Sequence, residues 1–155
     1  MFSTKNFNRI KPIVFIIALF PSLLWVYQFI SGNLGVNPIE RIMDEFGLMA
    51  LRLIILTLII STIANLQQLK SIVVFRRMIG LFAFYYVCLH FSSYIFLDHF
   101  LDIEFIIKDI IKRPFITFGF ISFLCLIPLT LTSTKKMVKR LSYKLWKKIH
   151  YLIYP

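Results

Sequence analysis

Apolar residues in this chain gather into four long runs, 12–30, 46–65, 79–97 and 114–131, and apart from Arg52 and His90 the ionisable residues lie between or beyond them. At about 1.5 Å rise per residue, a helix of about twenty residues spans ~30 Å, the thickness of a bilayer's hydrocarbon core. Each run is therefore predicted to cross a membrane. Between the first two, Gly32, Asn33, Gly35, Asn37 and Pro38 supply turn chemistry, which predicts a short loop over 31–45. Pro114 stands where a proline suits the first turn of the fourth helix. Within 98–113, the stretch IEFIIKDIIK alternates apolar and charged positions at helical spacing and predicts a short amphipathic helix lying in the membrane interface. The tail, 132–155, is basic and amphipathic and begins an incomplete fifth span. The expected architecture is an all-α integral membrane protein, a four-helix transmembrane bundle forming one domain over 1–155, followed by a basic C-terminal helix.

Composition agrees, with 59% hydrophobic and 17% aromatic residues, beyond the usage of soluble globular domains. Lys and Arg number 18 against 7 Asp and Glu, an excess that would suggest nucleic acid if position were ignored. Position argues against it. Residues 1–11, 66–78 and 132–155 hold thirteen basic and no acidic residues, whereas the other two connections hold four basic and all seven acidic ones. By the positive-inside rule both termini face the cytoplasm. The first apolar run is too long for a signal peptide and no small-x-small cleavage site follows it, so an uncleaved span is expected. Cys88 and Cys125 lie inside apolar runs as buried hydrophobes. No CxxCH, Walker loop, GxGxxG, HExxH or Ser/His/Asp set is present, which leaves c-type haem attachment, nucleotide chemistry and hydrolysis unsupported.

The two exceptions to the apolar runs are the candidate chemistry. His90 lies about 10 Å below the outer end of its span and Arg52 about 9 Å below the outer end of the second span, so the two are expected to share a level. An ionisable group at that depth is read as functional by default. Two readings stay open. An anionic cofactor such as haem would use both, iron on the imidazole and a propionate on the guanidinium. Alternatively, Arg52 snorkels to the outer headgroups and His90 bonds a backbone carbonyl. Tyr86 and Tyr94 share the helical face of His90, with Ser93 adjacent, and either line a cleft or pack. Pro21 is expected to kink the first helix and free a carbonyl, with Trp25 and Tyr27 in an interfacial belt. Arg76 and Arg77 stand at the cytoplasmic mouth, where they set topology or hold a phosphate or carboxylate of a second cofactor. His150 ends a basic stretch suited to a membrane surface and its anionic lipid, and His99 is expected to be solvated and uninvolved.

Several short motifs run in order along the chain: GVNPIE at 35–40, G-x-x-A-L-R at 47–52, R-R-x-x-G-L at 76–81 and L-H-x-x-S-Y at 89–94, then R-P at 113–114 with Gly119 following, L-T-S-T at 131–134, and R-L-x-x-x-x-W-x-x-I-H-x-x-x-Y at 140–154. As a set they resemble the haem-binding membrane subunits of bacterial periplasmic methionine sulfoxide reductase systems, within the wider ferric-reductase-like transmembrane group. The resemblance implies b-type haem held by histidines from two helices. It implies electron transfer from the quinone pool or a cytoplasmic flavin reductase, across the inner membrane, to a periplasmic molybdopterin-containing reductase subunit. The chain itself would be an electron-transfer subunit with no substrate site of its own. By position, His90 and His150 match two haem-associated histidines and Arg52 falls where the family has a basic residue. Members of the family continue through a further span bearing another histidine, so a chain ending at Pro155 is expected to be truncated. The rival reading is a small four-span interaction protein that binds lipid or a partner helix and no cofactor. A transporter has least support, since no paired inverted repeat is visible.

Overall fold

The computed structural model describes residues 4–66, 73–134, 137 and 140–150, and every regular element among them is helical. They divide into two compact units, Met1–Asp98 and His99–Pro155. The first holds α1 (Thr4–Ile30), α2 (Pro38–Leu66) and α3 (Val73–Ser93), the last continuing through a π-helical turn at Tyr94–Asp98. The second holds α4 (Ile103–Lys112), α5 (Pro114–Thr132) and α6 (Tyr143–His150). Four segments, Arg9–Ile30, Pro38–Ala64, Phe75–Asp98 and Pro114–Thr132, are long and apolar enough to cross a membrane.

The connection between α1 and α2 shows how local chemistry sets the helix ends. Asn33 N–H donates to the Gln28 carbonyl (2.9 Å) and Gly32 N–H to that of Phe29 (3.3 Å), with Gly32 at φ +72°. This is a Schellman closure, and glycine adopts its left-handed residue at no steric cost. Asn37 then opens α2, its Oδ1 accepting from Glu40 N–H at 3.5 Å and its Nδ2 donating to Glu40 Oε2 at 2.7 Å, with Pro38 in the first turn. The helix thus starts at Pro38 rather than at the edge of the apolar run. Glu40, Asp44 and Glu45, expected in a loop, are helical instead. Glu40, in the first turn, is favoured by the positive end of the helix dipole, and Arg41 pairs with Glu45 at 2.6 Å. The apolar run reports where hydrocarbon begins, not where the helix does.

The core of the first unit forms where α3 meets both α1 and α2. Tyr86 is completely buried, with Trp25 and Phe46 each 6.3 Å away between ring centroids. Trp25 also meets Phe46 edge-on at 5.9 Å. Trp25, expected in an interfacial belt, is therefore a packing residue, while Tyr27 is exposed. The Tyr86 hydroxyl donates to the Ala18 carbonyl (2.7 Å) and accepts from Ser22 N–H (3.2 Å). Those are the two groups that an uninterrupted helix would pair with each other. The arrangement falls beside Pro21, which has no N–H and so weakens α1 at this turn. The buried Ser22 hydroxyl donates to the Leu19 carbonyl (2.7 Å) and lies 3.2 Å from the Tyr85 hydroxyl. A side chain from α3 thus completes the backbone bonding of α1, as a water-free environment demands.

In the second unit, Asp102 caps α4 by accepting from Phe105 N–H at 3.0 Å. The helix is three-sided. Ile106 and Asp109 are buried, Ile103, Ile107 and Ile111 form an exposed apolar stripe, and Glu104 pairs with Lys108 at 2.6 Å on the polar side. That pattern matches the amphipathic helix expected from the sequence. Arg113 ends α4 and opens α5, its Nε meeting the buried Asp109 Oδ1 at 2.8 Å. Thr117 closes the same corner, its hydroxyl donating to the Ile110 carbonyl. Pro114 occupies the first turn of α5, as expected.

Tyr86→Phe removes the hydroxyl that bonds both the Ala18 carbonyl and Ser22 N–H and is expected to destabilise the protein by about 1–3 kcal/mol, the net contribution of two buried hydrogen bonds. Reversible unfolding in mixed micelles measures this, and Tyr85→Phe should cost less. Asp102→Ala is expected to cost about 1 kcal/mol of α4 stability, read as faster amide exchange at Glu104 and Phe105.

Candidate functional site

An imidazole inside an apolar helix must dispose of one N–H and one lone pair. His90 lies on the last full turn of α3, half-buried, with Nδ1 2.8 Å from the Met43 carbonyl of α2. A carbonyl only accepts, so Nδ1 carries the proton, and in the neutral ring the lone pair is then on Nε2. Among the described residues Nε2 makes no hydrogen bond. A carbonyl bonded to one ring nitrogen fixes tautomer and orientation, the usual support for a histidine whose other nitrogen binds a metal. The two sequence readings of His90 are therefore compatible. The carbonyl bond holds the ring, and the second nitrogen stays available as a ligand.

Gly47 is what lets the ring approach. A Cβ placed there would stand 3.0 Å from Nδ1 and 3.1 Å from Cε1 of His90. Neither Gly47 nor the Met43 carbonyl was identified as part of a site from the sequence. The available signal was a single glycine inside an apolar helical run, which marks close helix approach in membranes.

Arg52 stands five residues beyond Gly47 on α2, about 7.5 Å along the axis and about 140° around it. It is exposed, among the exposed apolar residues Leu48, Leu51, Ile55 and Ile59. The shared level expected from the sequence is thus offset, and Arg52 occupies a different face of α2 from the one that meets His90. Among the described residues it makes no ion pair.

The tyrosines expected either to line a cleft or to pack divide clearly. Tyr86 is consumed by its bonds to α1, and Tyr94 stacks on Phe91 with centroids 6.5 Å apart. Ser93 returns its hydroxyl to the Leu89 carbonyl at 2.9 Å. Arg76 and Arg77 are both in the first turns of α3, Arg76 half-buried and Arg77 exposed. Arg76 precedes His90 by fourteen residues, about 21 Å down nearly the same face. His150 is the last residue of α6, and its side chain lies outside the described part of the chain. His99, expected to be solvated, is half-buried, its ring 4.9 Å from that of Phe105. Among the described residues no group of three or more His, Cys, Asp or Glu is placed to hold a metal ion.

Comparison with known proteins gives a consistent picture. Residues 46–155 match the family described as ferric reductase like transmembrane component, a stretch that includes Arg52, Arg76, Arg77, His90 and His150. Over 152 residues and 98% of its length the chain is 46% identical to the protein-methionine-sulfoxide reductase heme-binding subunit MsrQ of Herminiimonas arsenicoxydans, spanning 70% of that protein. It is 42% identical to the MsrQ of Caulobacter vibrioides, over 89% of this chain and 66% of the relative. With the MsrQ of Azospira oryzae it shares 39% identity over 97% of this chain and 64% of the relative. The chain therefore spans about two thirds of the length of these relatives. No solved structure matches it.

Proposed function

Because the chain belongs to the ferric reductase like transmembrane component family, we propose that this multi-pass membrane protein is a haem-binding electron-transfer subunit in which His90 Nε2 would hold the haem iron. The observation that carries the reading is the bond from His90 Nδ1–H to the Met43 carbonyl at 2.8 Å, which leaves Nε2 as the free lone pair within a membrane-crossing helix. Haem, when bound, supplies one-electron chemistry at iron. The chain's own residues supply the ligand, its orientation and an apolar surround that excludes water.

The finer assignment follows the relatives, which are named as subunits of a protein-methionine-sulfoxide reductase. We assign b-type haem, held without covalent attachment, with His150 as a second haem-associated histidine and Arg52 as the counter-charge to a propionate. Arg76 and Arg77 would take the phosphate of FMN at the cytoplasmic side. Electrons would pass from quinol or a cytoplasmic flavin reductase to a periplasmic molybdopterin-containing subunit that reduces methionine sulfoxide. This reading places the protein in a bacterial inner membrane with both termini cytoplasmic, both compact units forming one ferric-reductase-like domain. Sulfoxide chemistry belongs to the partner.

Reduced-minus-oxidised absorbance of the purified chain is expected to show a b-type α band that His90→Ala abolishes. A chain without that band after reconstitution with haem, or one whose band survives His90→Ala, would refute the assignment; the first result would favour the cofactor-free interaction protein. Arg52→Gln should keep the band but weaken haem retention by about tenfold or more, since a hydrogen bond to a charged group contributes ~1.5–3 kcal/mol.

A further inference from the structure

We infer that Gly47 and the Met43 carbonyl position the His90 imidazole, and that this seat on α2 sets the affinity and reduction potential of iron bound at Nε2. The inference rests on the haem reading above and adds to it a residue with no side chain.

Met43 and Gly47 are one helical turn apart, so in α2 the Met43 carbonyl also receives Gly47 N–H. An approaching donor must reach this carbonyl past position 47. A Cβ there would meet Nδ1 at 3.0 Å, Cε1 at 3.1 Å and Cγ at 3.6 Å, closer than unstrained contacts allow for the first two. Two ring atoms would be crowded, including the donor itself, so the ring must give by a few tenths of an ångström and its bond to the carbonyl is lengthened or bent. The close approach is specific to this point of the helix pair. Gly80 of α3 also faces α2, yet a Cβ there would meet Thr57 at 3.8 Å, an ordinary van der Waals contact. Gly47 is therefore required by the imidazole rather than by general closeness of α2 and α3.

The electronic consequence follows from the bond. A carbonyl accepting Nδ1–H increases the basicity of Nε2, which strengthens ligation and favours ferric over ferrous iron. Because the acceptor is backbone, no side-chain substitution removes it, and position 47 is the handle through which it can be tested.

The experiment compares wild type, Gly47→Ala and Gly80→Ala in haem-loaded protein and, by nitrogen NMR of His90, in haem-free protein. Haem-free wild type and Gly80→Ala are expected to show the ring protonated at Nδ1 alone, and Gly47→Ala a mixture of tautomers. With haem, Gly47→Ala should retain it at least tenfold less well, in the range typical of lost support for a metal ligand. Its midpoint should rise by about 59 mV for each tenfold loss of ferric relative to ferrous affinity, and Gly80→Ala should match wild type. Gly47→Ala with unaltered potential and retention, or wild type protonated at Nε2, would overturn the inference while leaving His90 as a ligand. The tautomer of the wild type decides the point even if Gly47→Ala does not fold. Wild type that takes up no haem would overturn both this inference and the reading beneath it.

Discussion

Hydrocarbon offers no hydrogen bonds, so every polar group carried into it must be satisfied by another group of the protein. That constraint governs the first unit at two points. The Tyr86 hydroxyl serves the Ala18 carbonyl and Ser22 N–H beside Pro21, and the Met43 carbonyl serves His90 Nδ1. In both, a side chain of α3 bonds the backbone of a neighbouring helix. These bonds orient α3 against α1 and α2 more specifically than its leucines and phenylalanines can, because apolar contact between helices competes with equally apolar lipid. The site grows from the same source as the fold: satisfying one nitrogen of His90 is what leaves the other exposed to chemistry.

Much of the architecture was legible in the pattern of apolar residues. The four runs and the amphipathic stretch IEFIIKDIIK correspond to helices, and Asp102 and Pro114 stand where caps and first turns need them. The start of α2 was not legible from hydropathy, because Glu40, Asp44 and Glu45 are helical through capping and dipole effects while lying outside the apolar run. The signal for it was in the sequence nonetheless, as Asn37 followed by Pro38 and Glu40. The role of Trp25 depends on packing rather than on local preference, and no periodicity announces it or the π-helical turn at Tyr94–Asp98.

The candidate site was half legible. His90 stood out because an ionisable residue breaks an apolar run, and the motif set brought in His150, whose spacing alone says little. Gly47 was visible only as a glycine in an apolar run, not as part of a site. Its contribution is the absence of atoms, which becomes meaningful only when the opposing ring is in place. Arg52 shows the limit of depth arithmetic. Residue counting gives height along a helix but not azimuth, and Arg52 stands about 140° around α2 from Gly47.

The bond between Tyr86 and the Ala18–Ser22 turn joins residues 64 and 68 positions apart. A ribosome makes α1 long before it makes α3, so the turn of α1 beside Pro21 is synthesised before the hydroxyl that bonds it in the folded protein. That bond reports the meeting of α1 with α3 and not the formation of either helix alone.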